Sequence, residues 1–162
     1  MAFQSFWLLP LLFMWHDFEE LVVVPTWLAH HDPHIGRRTL FGGVARADIL
    51  AVGIWEEFCL LLLIVAGAYW WHLPVLVMAA SFPYLGHLVL HLVFVVIKHS
   101  YVPGVVTAVI ELPLMSWYVM KLSESLSLNW VAWLAMIVSG FGFFGGNLVL
   151  IHWGMPRLKL IM

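Results

Sequence analysis

Five long apolar stretches run along the chain, separated by turn signals: Phe3–Val24 ended by Pro25, Ile49–Tyr69, Pro74–Ile97, Pro103–Met120 and Asn129–Ile151. Each is near the roughly 20 residues that a helix needs to cross a hydrocarbon core. Pro103 falls in the first turn of its stretch, where a missing N–H costs least. Only one long polar segment interrupts the series, Thr26–Asp48, and its Pro, Gly and His content predicts an irregular surface connection. The pattern predicts an all-α, polytopic membrane helical bundle of five transmembrane helices, forming a single integral membrane domain over residues 1–162.

Composition agrees. The 162 residues are 64% hydrophobic and 10% charged, with mean hydropathy +0.99. A soluble domain carries about 25% charged residues. A net charge of −2 gives no reason to expect nucleic acid. The single cysteine, Cys59, excludes an intramolecular disulfide and a CxxC metal site. No cleavable signal peptide is expected, because the N-terminus lacks a basic region and the first apolar run is broken by His16-Asp17-Phe18-Glu19-Glu20.

Charge also orients the five spans. The first loop, the third loop and the C-terminus would share one side and hold Arg37, Arg38, Arg46, Lys98, Arg157 and Lys159; the other side holds Lys121. Basic residues favour the cytoplasmic side, so the N-terminus is expected outside and the C-terminus inside, in a bacterial cytoplasmic membrane. Trp7, Trp70, Trp71, Trp130 and Trp153 fall near span ends, as interfacial tryptophan does.

The apolar stretches are not clean. Asp17, Glu19, Glu20, Glu56, Glu57 and Glu111 lie inside them, with His16, His87 and His91 and with His152 at a span end. No Lys or Arg accompanies them. With the spans so oriented, His16, Glu19, Glu20, Glu56, Glu57, His87, His91 and Glu111 fall roughly 6–15 Å below the cytoplasmic interface, at 1.5 Å per residue, while His152 lies near the membrane surface. Four helices thus place ionisable groups at one depth, and the fifth adds Asn147. His16, Glu19 and Glu20 stand at i, i+3 and i+4, and project one way. His87 and His91 stand at i, i+4, a spacing that lets two imidazoles reach one ion. Asp17 points away from the His16 face. Gly142 and Gly146 form a small-residue pair suited to close helix packing.

Several carboxylates in a low dielectric cannot all ionise without compensation. Here that compensation comes from protonated acids, protonated histidines or bound cations. Imidazole with carboxylate suits iron, zinc or manganese better than calcium or magnesium. One or two transition-metal ions are therefore expected on His16, Glu19, Glu56, His87, His91 and Glu111. Glu20 and Glu57 are the candidate catalytic groups, with Asn147 and His152 just behind the ligands. The loop histidines His30, His31 and His34 read as solvated.

The run His16-x-x-Glu19-Glu20, with Glu56-Glu57, His87-x-x-x-His91 and Tyr101-Val102-Pro103-Gly104, resembles the HXXEE family of small integral membrane proteins over most of the chain. That family has no established reaction. The resemblance implies functional roles for His16, Glu19, Glu20, His87 and His91, and supplies no substrate.

Several function classes fit these features. The first is a metal-dependent membrane enzyme, hydrolytic or oxidative, acting on a lipid or isoprenoid that enters laterally. A metal-free acid–base lipid isomerase or cyclase using buried glutamates is the second. A small ion-coupled transporter is the third, disfavoured by the lack of inverted repeats. A structural or haem-binding subunit is the fourth, and His87 and His91 share a helix and cannot sandwich a haem. A homo-oligomer or a membrane-protein partner is compatible with all of them.

Overall fold

The computed structural model describes residues 5–158. Five helices account for most of the chain: α1 (Leu8–His30), α2 (Ala47–Trp70), α3 (Pro74–Lys98), α4 (Val105–Ser123) and α5 (Trp130–Leu158). Of these, α2, α3, α4 and the Trp130–Ile151 part of α5 are long and apolar enough to cross a membrane. The length of α1 also suffices, but Asp17, Glu19 and Glu20 lower its apolarity.

The helix exteriors fit lipid rather than water. Leu63, Trp70, Val96, Trp130, Val149 and many other large apolar side chains are exposed. Inside, Leu9, Leu61, Val65, Met78, Leu88, Met115, Tyr118, Met136 and their neighbours form one apolar core shared by all five helices.

Both ends of α1 and the end of α5 depart from the sequence pattern: α1 begins at Leu8 rather than Phe3, and α5 runs on to Leu158 rather than Ile151. α1 does not stop at Pro25 but runs through it to His30. Trp27 holds this extra turn: it is buried, its Nε1–H donates to the Tyr101 carbonyl (3.0 Å), and its ring stacks on His31. Packing thus outweighs the backbone hydrogen bond that proline removes. The close helix approach expected at Gly142 and Gly146 falls instead at Gly140, where an added β-carbon would stand 2.2 Å from the Ala79 carbonyl oxygen of α3. Nothing lies within 4 Å of such a carbon at Gly142 or Gly146. At about 100° per residue, Gly142 points to nearly the opposite side of α5 from Gly140, which meets α3.

The connection from α1 to α2 is a small roof. Strands β1 (His34–Ile35) and β2 (Arg38–Thr39) pair antiparallel, and a 3-10 turn follows over Leu40–Gly43. Leu40 joins Trp27 and Val102 in a second apolar cluster. Lys98 at the end of α3 donates to the His34 carbonyl (2.9 Å) and faces Asp32 (3.6 Å). Hydrogen bonds from the His34 ring and backbone hold the Asp32 carboxyl below its ordinary range. The roof therefore sits over the end of the bundle where α1 and α3 finish and α4 begins.

Candidate metal centre

α1 presents His16 and Glu20 one turn apart, and α3 presents His87 and His91 one turn apart. The two pairs meet. One ligand atom from each of the four residues lies within 4.8 Å of the others. His91 Nε2 is the hub, 3.2 Å from His16 Nε2, 3.1 Å from His87 Nε2 and 2.9 Å from Glu20 Oε1. Glu20 Oε1 is also 3.6 Å from both His16 Nε2 and His87 Nε2. The rings stand nearly edge to face, with centroids 4.7 to 5.1 Å apart. His16 and His91 are fully buried, whereas the His87 side chain is 41% exposed and forms the open flank.

The protons on two of these rings follow from their outer partners. His91 Nδ1 lies 2.8 Å from the Pro103 carbonyl, which can only accept, so the proton is on Nδ1. His16 Nδ1 lies 2.9 Å from Thr107 Oγ1. The single Thr107 hydroxyl hydrogen faces two acceptors, Glu19 Oε2 at 2.7 Å and the Gly104 carbonyl at 3.2 Å. Its oxygen is thus left to accept, and His16 Nδ1–H donates. Neutral His16 and His91 then both aim bare Nε2 lone pairs inward. Glu20 Oε1 is buried there and receives no hydrogen bond. Acceptors facing acceptors at these distances require a cation between them or extra protons on the rings.

Glu19 does not join this group. Its Oε1 accepts from the Tyr101 hydroxyl (2.7 Å) and the Val106 N–H (3.4 Å), and its Oε2 accepts from the Thr107 N–H (2.8 Å) and hydroxyl. The carboxylate therefore caps the first turn of α4, an end that favours negative charge. Desolvation, then the bond to Glu19, pushes the Tyr101 phenol above its ordinary value.

The remaining acids are distributed around the centre. Glu111, fully buried on α4, accepts from the Tyr84 hydroxyl at 2.5 Å through Oε2, and its Oε1 has no partner. Tyr84 in turn lies edge-on to His16, with centroids 6.2 Å apart. Asp17, expected away from the His16 face, is buried, with Oδ2 unpartnered. Glu57 is half-buried on α2. Glu56 is exposed and accepts from Asn147 Nδ2 at 3.0 Å. The His152 side chain lies outside the described residues. Of the six expected ligands, His16, His87 and His91 come together, joined by Glu20, while Glu19, Glu56 and Glu111 make the other contacts just given.

The loop histidines bond locally, His30 to the Thr26 carbonyl, His31 to the Trp27 carbonyl and His34 to Asp32. Sequence reasoning missed Thr107 and Tyr84. Both carried a signal: Thr107 is four residues before Glu111, and Tyr84 three before His87, on the same helix faces.

The family described as "Protein of unknown function with HXXEE motif" matches residues 7–118, and the chain belongs to it. The matched region contains all four residues of the centre and the α4 turn behind it. No curated protein and no solved structure matches the chain.

Proposed function

We propose that this chain is a metal-dependent integral membrane enzyme whose centre is His16, Glu20, His87 and His91. One observation carries the reading: His91 Nε2 stands within 3.2 Å of two other imidazole nitrogens and a carboxylate oxygen, while its own proton is committed at Nδ1 to Pro103. Three imidazoles and one carboxylate suit iron, manganese or zinc. When bound, such an ion would supply Lewis acidity for activating water or, as iron or manganese, redox electrons for activating oxygen.

The chain's own residues do the rest. Pro103 and Thr107 fix two rings so that Nε2 faces inward. Phe41 from the roof stands 6.5 Å from the His91 ring and helps exclude water from that side. His87 leaves one flank open, and Glu57, half-buried on the neighbouring α2, is the carboxyl that would hold or release a proton at a substrate placed there. We assign the substrate to membrane lipids or isoprenoids, because the centre lies among helices and the short loops offer no binding domain for a soluble molecule. In this reading all five helices cross a bacterial cytoplasmic membrane, N-terminus outside. α1 can do so because it turns His16 and Asp17 inward and spends Glu19 on α4.

Elemental analysis of protein purified without chelator tests the proposal. One transition-metal ion or more per chain is expected. Metal-free protein that retains its fold would favour the acid–base reading instead. Asp17 and Glu111, each buried with an unpartnered oxygen, speak for that second reading.

A further inference from the structure

We propose that Glu19, where the centre holds metal as proposed above, is a positioning residue: it sets the tautomer of His16 through Thr107, while its neighbour Glu20 faces the histidines. The lettered residues of His16-x-x-Glu19-Glu20 then divide between two layers of one site.

The geometry is a relay of orientation. Glu19 Oε2 takes the Thr107 hydroxyl hydrogen at 2.7 Å and the Thr107 backbone N–H at 2.8 Å. That fixes both the rotor of the hydroxyl and the turn that carries it. Thr107 Oγ1 can then only accept from His16, so the His16 proton stays on Nδ1, 2.9 Å away, and Nε2 stays free. Metal-binding imidazoles are characteristically held in this way through the opposite nitrogen. His91 gets the same treatment from the Pro103 carbonyl, on the same turn before α4. One turn of chain therefore orients a histidine from α1 and a histidine from α3.

Helical geometry explains why two adjacent glutamates are needed. Successive residues are about 100° apart around the helix, so one carboxylate cannot face both the centre and α4. Glu20, four residues from His16, lies over the same face and reaches His91 at 2.9 Å. Glu19, turned aside, reaches the start of α4. A ligand role for Glu19 would require it to abandon four hydrogen bonds, from Tyr101, Val106 and twice from Thr107.

The test uses the full-length protein in detergent micelles, with histidine labelled by nitrogen-15, metal-free and at a pH where imidazole is neutral. The His16 signals are assigned by their loss in His16→Gln. Wild type and Thr107→Ser should show His16 protonated at Nδ1 and bare at Nε2. Thr107→Val should lose that preference, and Glu19→Gln should give a mixture, because its amide can donate to Thr107 Oγ1 and release the hydroxyl hydrogen toward His16. Titration with Co(II) alone should show affinity reduced by about 10–100-fold in Thr107→Val and restored in Thr107→Ser. A His16 protonated at Nε2 in wild type, or unchanged in both Thr107→Val and Glu19→Gln, overturns the inference. The nitrogen signals decide it even if wild type binds no Co(II), an outcome that would count against the metal reading alone.

Discussion

Gly104 and His91 are in direct contact: a β-carbon on Gly104 would stand 2.5 Å from His91 Cε1 and 2.7 Å from its Nδ1. The same carbon would lie 3.1 Å from Glu20 Oε1, so the backbone of the α4 turn forms one wall of the centre. Gly104 also has φ +86°, a region that side chains rarely adopt. Gly104→Ala should therefore act twice. Backbone strain of this kind costs about 1–3 kcal/mol. The methyl group should also push the His91 ring off the Pro103 carbonyl and away from Glu20. Lower thermal stability and lower metal content are expected together, read by unfolding in micelles and by elemental analysis. A variant with wild-type metal content would mean that the ring can move without cost to the centre.

Much of this was legible in the sequence because membrane helices constrain so tightly. Apolar length located α2, α3 and α4 to within a few residues, and i, i+4 spacing paired His87 with His91 and His16 with Glu20. What spacing could not decide was the division between Glu19 and Glu20. Both lie within one turn of His16, and the choice depends on where α4 begins relative to α1. That is a tertiary fact, fixed by the bonds of Thr107 and Tyr101 to Glu19. The end of α1 was hidden for a similar reason, since Pro25 signals a stop and only Trp27 packing overrides it. Depth alone also placed Glu56 and Glu111 with the histidines, although Glu56 bonds Asn147 and Glu111 bonds Tyr84.

Tyr84→Phe tests whether Glu111 depends on its single donor. Glu111 is fully buried, and Tyr84 is the hydrogen-bond partner of its Oε2, while Oε1 has none. Removing the hydroxyl leaves a buried carboxyl with neither oxygen paired to a protein donor, a penalty of about 1–3 kcal/mol. The melting temperature should fall. Combining it with Glu111→Leu should recover part of the loss, because the group that needed the donor is gone. A double variant no more stable than Tyr84→Phe would show that the loss does not come from leaving the Glu111 carboxyl without its donor.

The proposed five-span arrangement would fix which ends of the helices share a side. The Tyr118 hydroxyl donates to the Ser5 carbonyl at 3.4 Å, so the start of the chain meets the end of α4. In a Cys59→Ser background, single cysteines at Ser5 and Ser125 should both react with an impermeant thiol reagent added to intact cells. A cysteine at Ser100, on the loop before α4, should react only after the membrane is opened. Labelling of Ser100→Cys from outside would invert the orientation, and opposite behaviour at Ser5 and Ser125 would remove α1 from the membrane.

Metal removal should loosen the bundle as well as empty the site. The four residues of the centre come from α1 and α3, and α4 is tied to both through Thr107, Pro103 and Glu19. A cation there would join α1 and α3 directly, and α4 through their bonds to it, at the end of the bundle where the roof sits. Without it, Glu20 Oε1 and the inward lone pairs of His16 and His91 face one another unpaired in a poorly hydrated interior, and the helices must part or take up protons. A ligand that binds only the folded state adds about 2.7 kcal/mol of stability at 100 times its dissociation constant. Chelated protein should therefore melt lower than untreated protein, and readdition of the metal should restore it. His91→Ala and Glu20→Gln should lower metal content and remove most of the difference between chelated and untreated samples. His34→Ala should change neither, since the His34 side chain bonds to Asp32 in the roof, and its contact with Lys98 is made by the backbone carbonyl. Equal melting of chelated and untreated wild type, with no stoichiometric metal, would leave the buried acids to hold protons and would make the acid–base enzyme the better account.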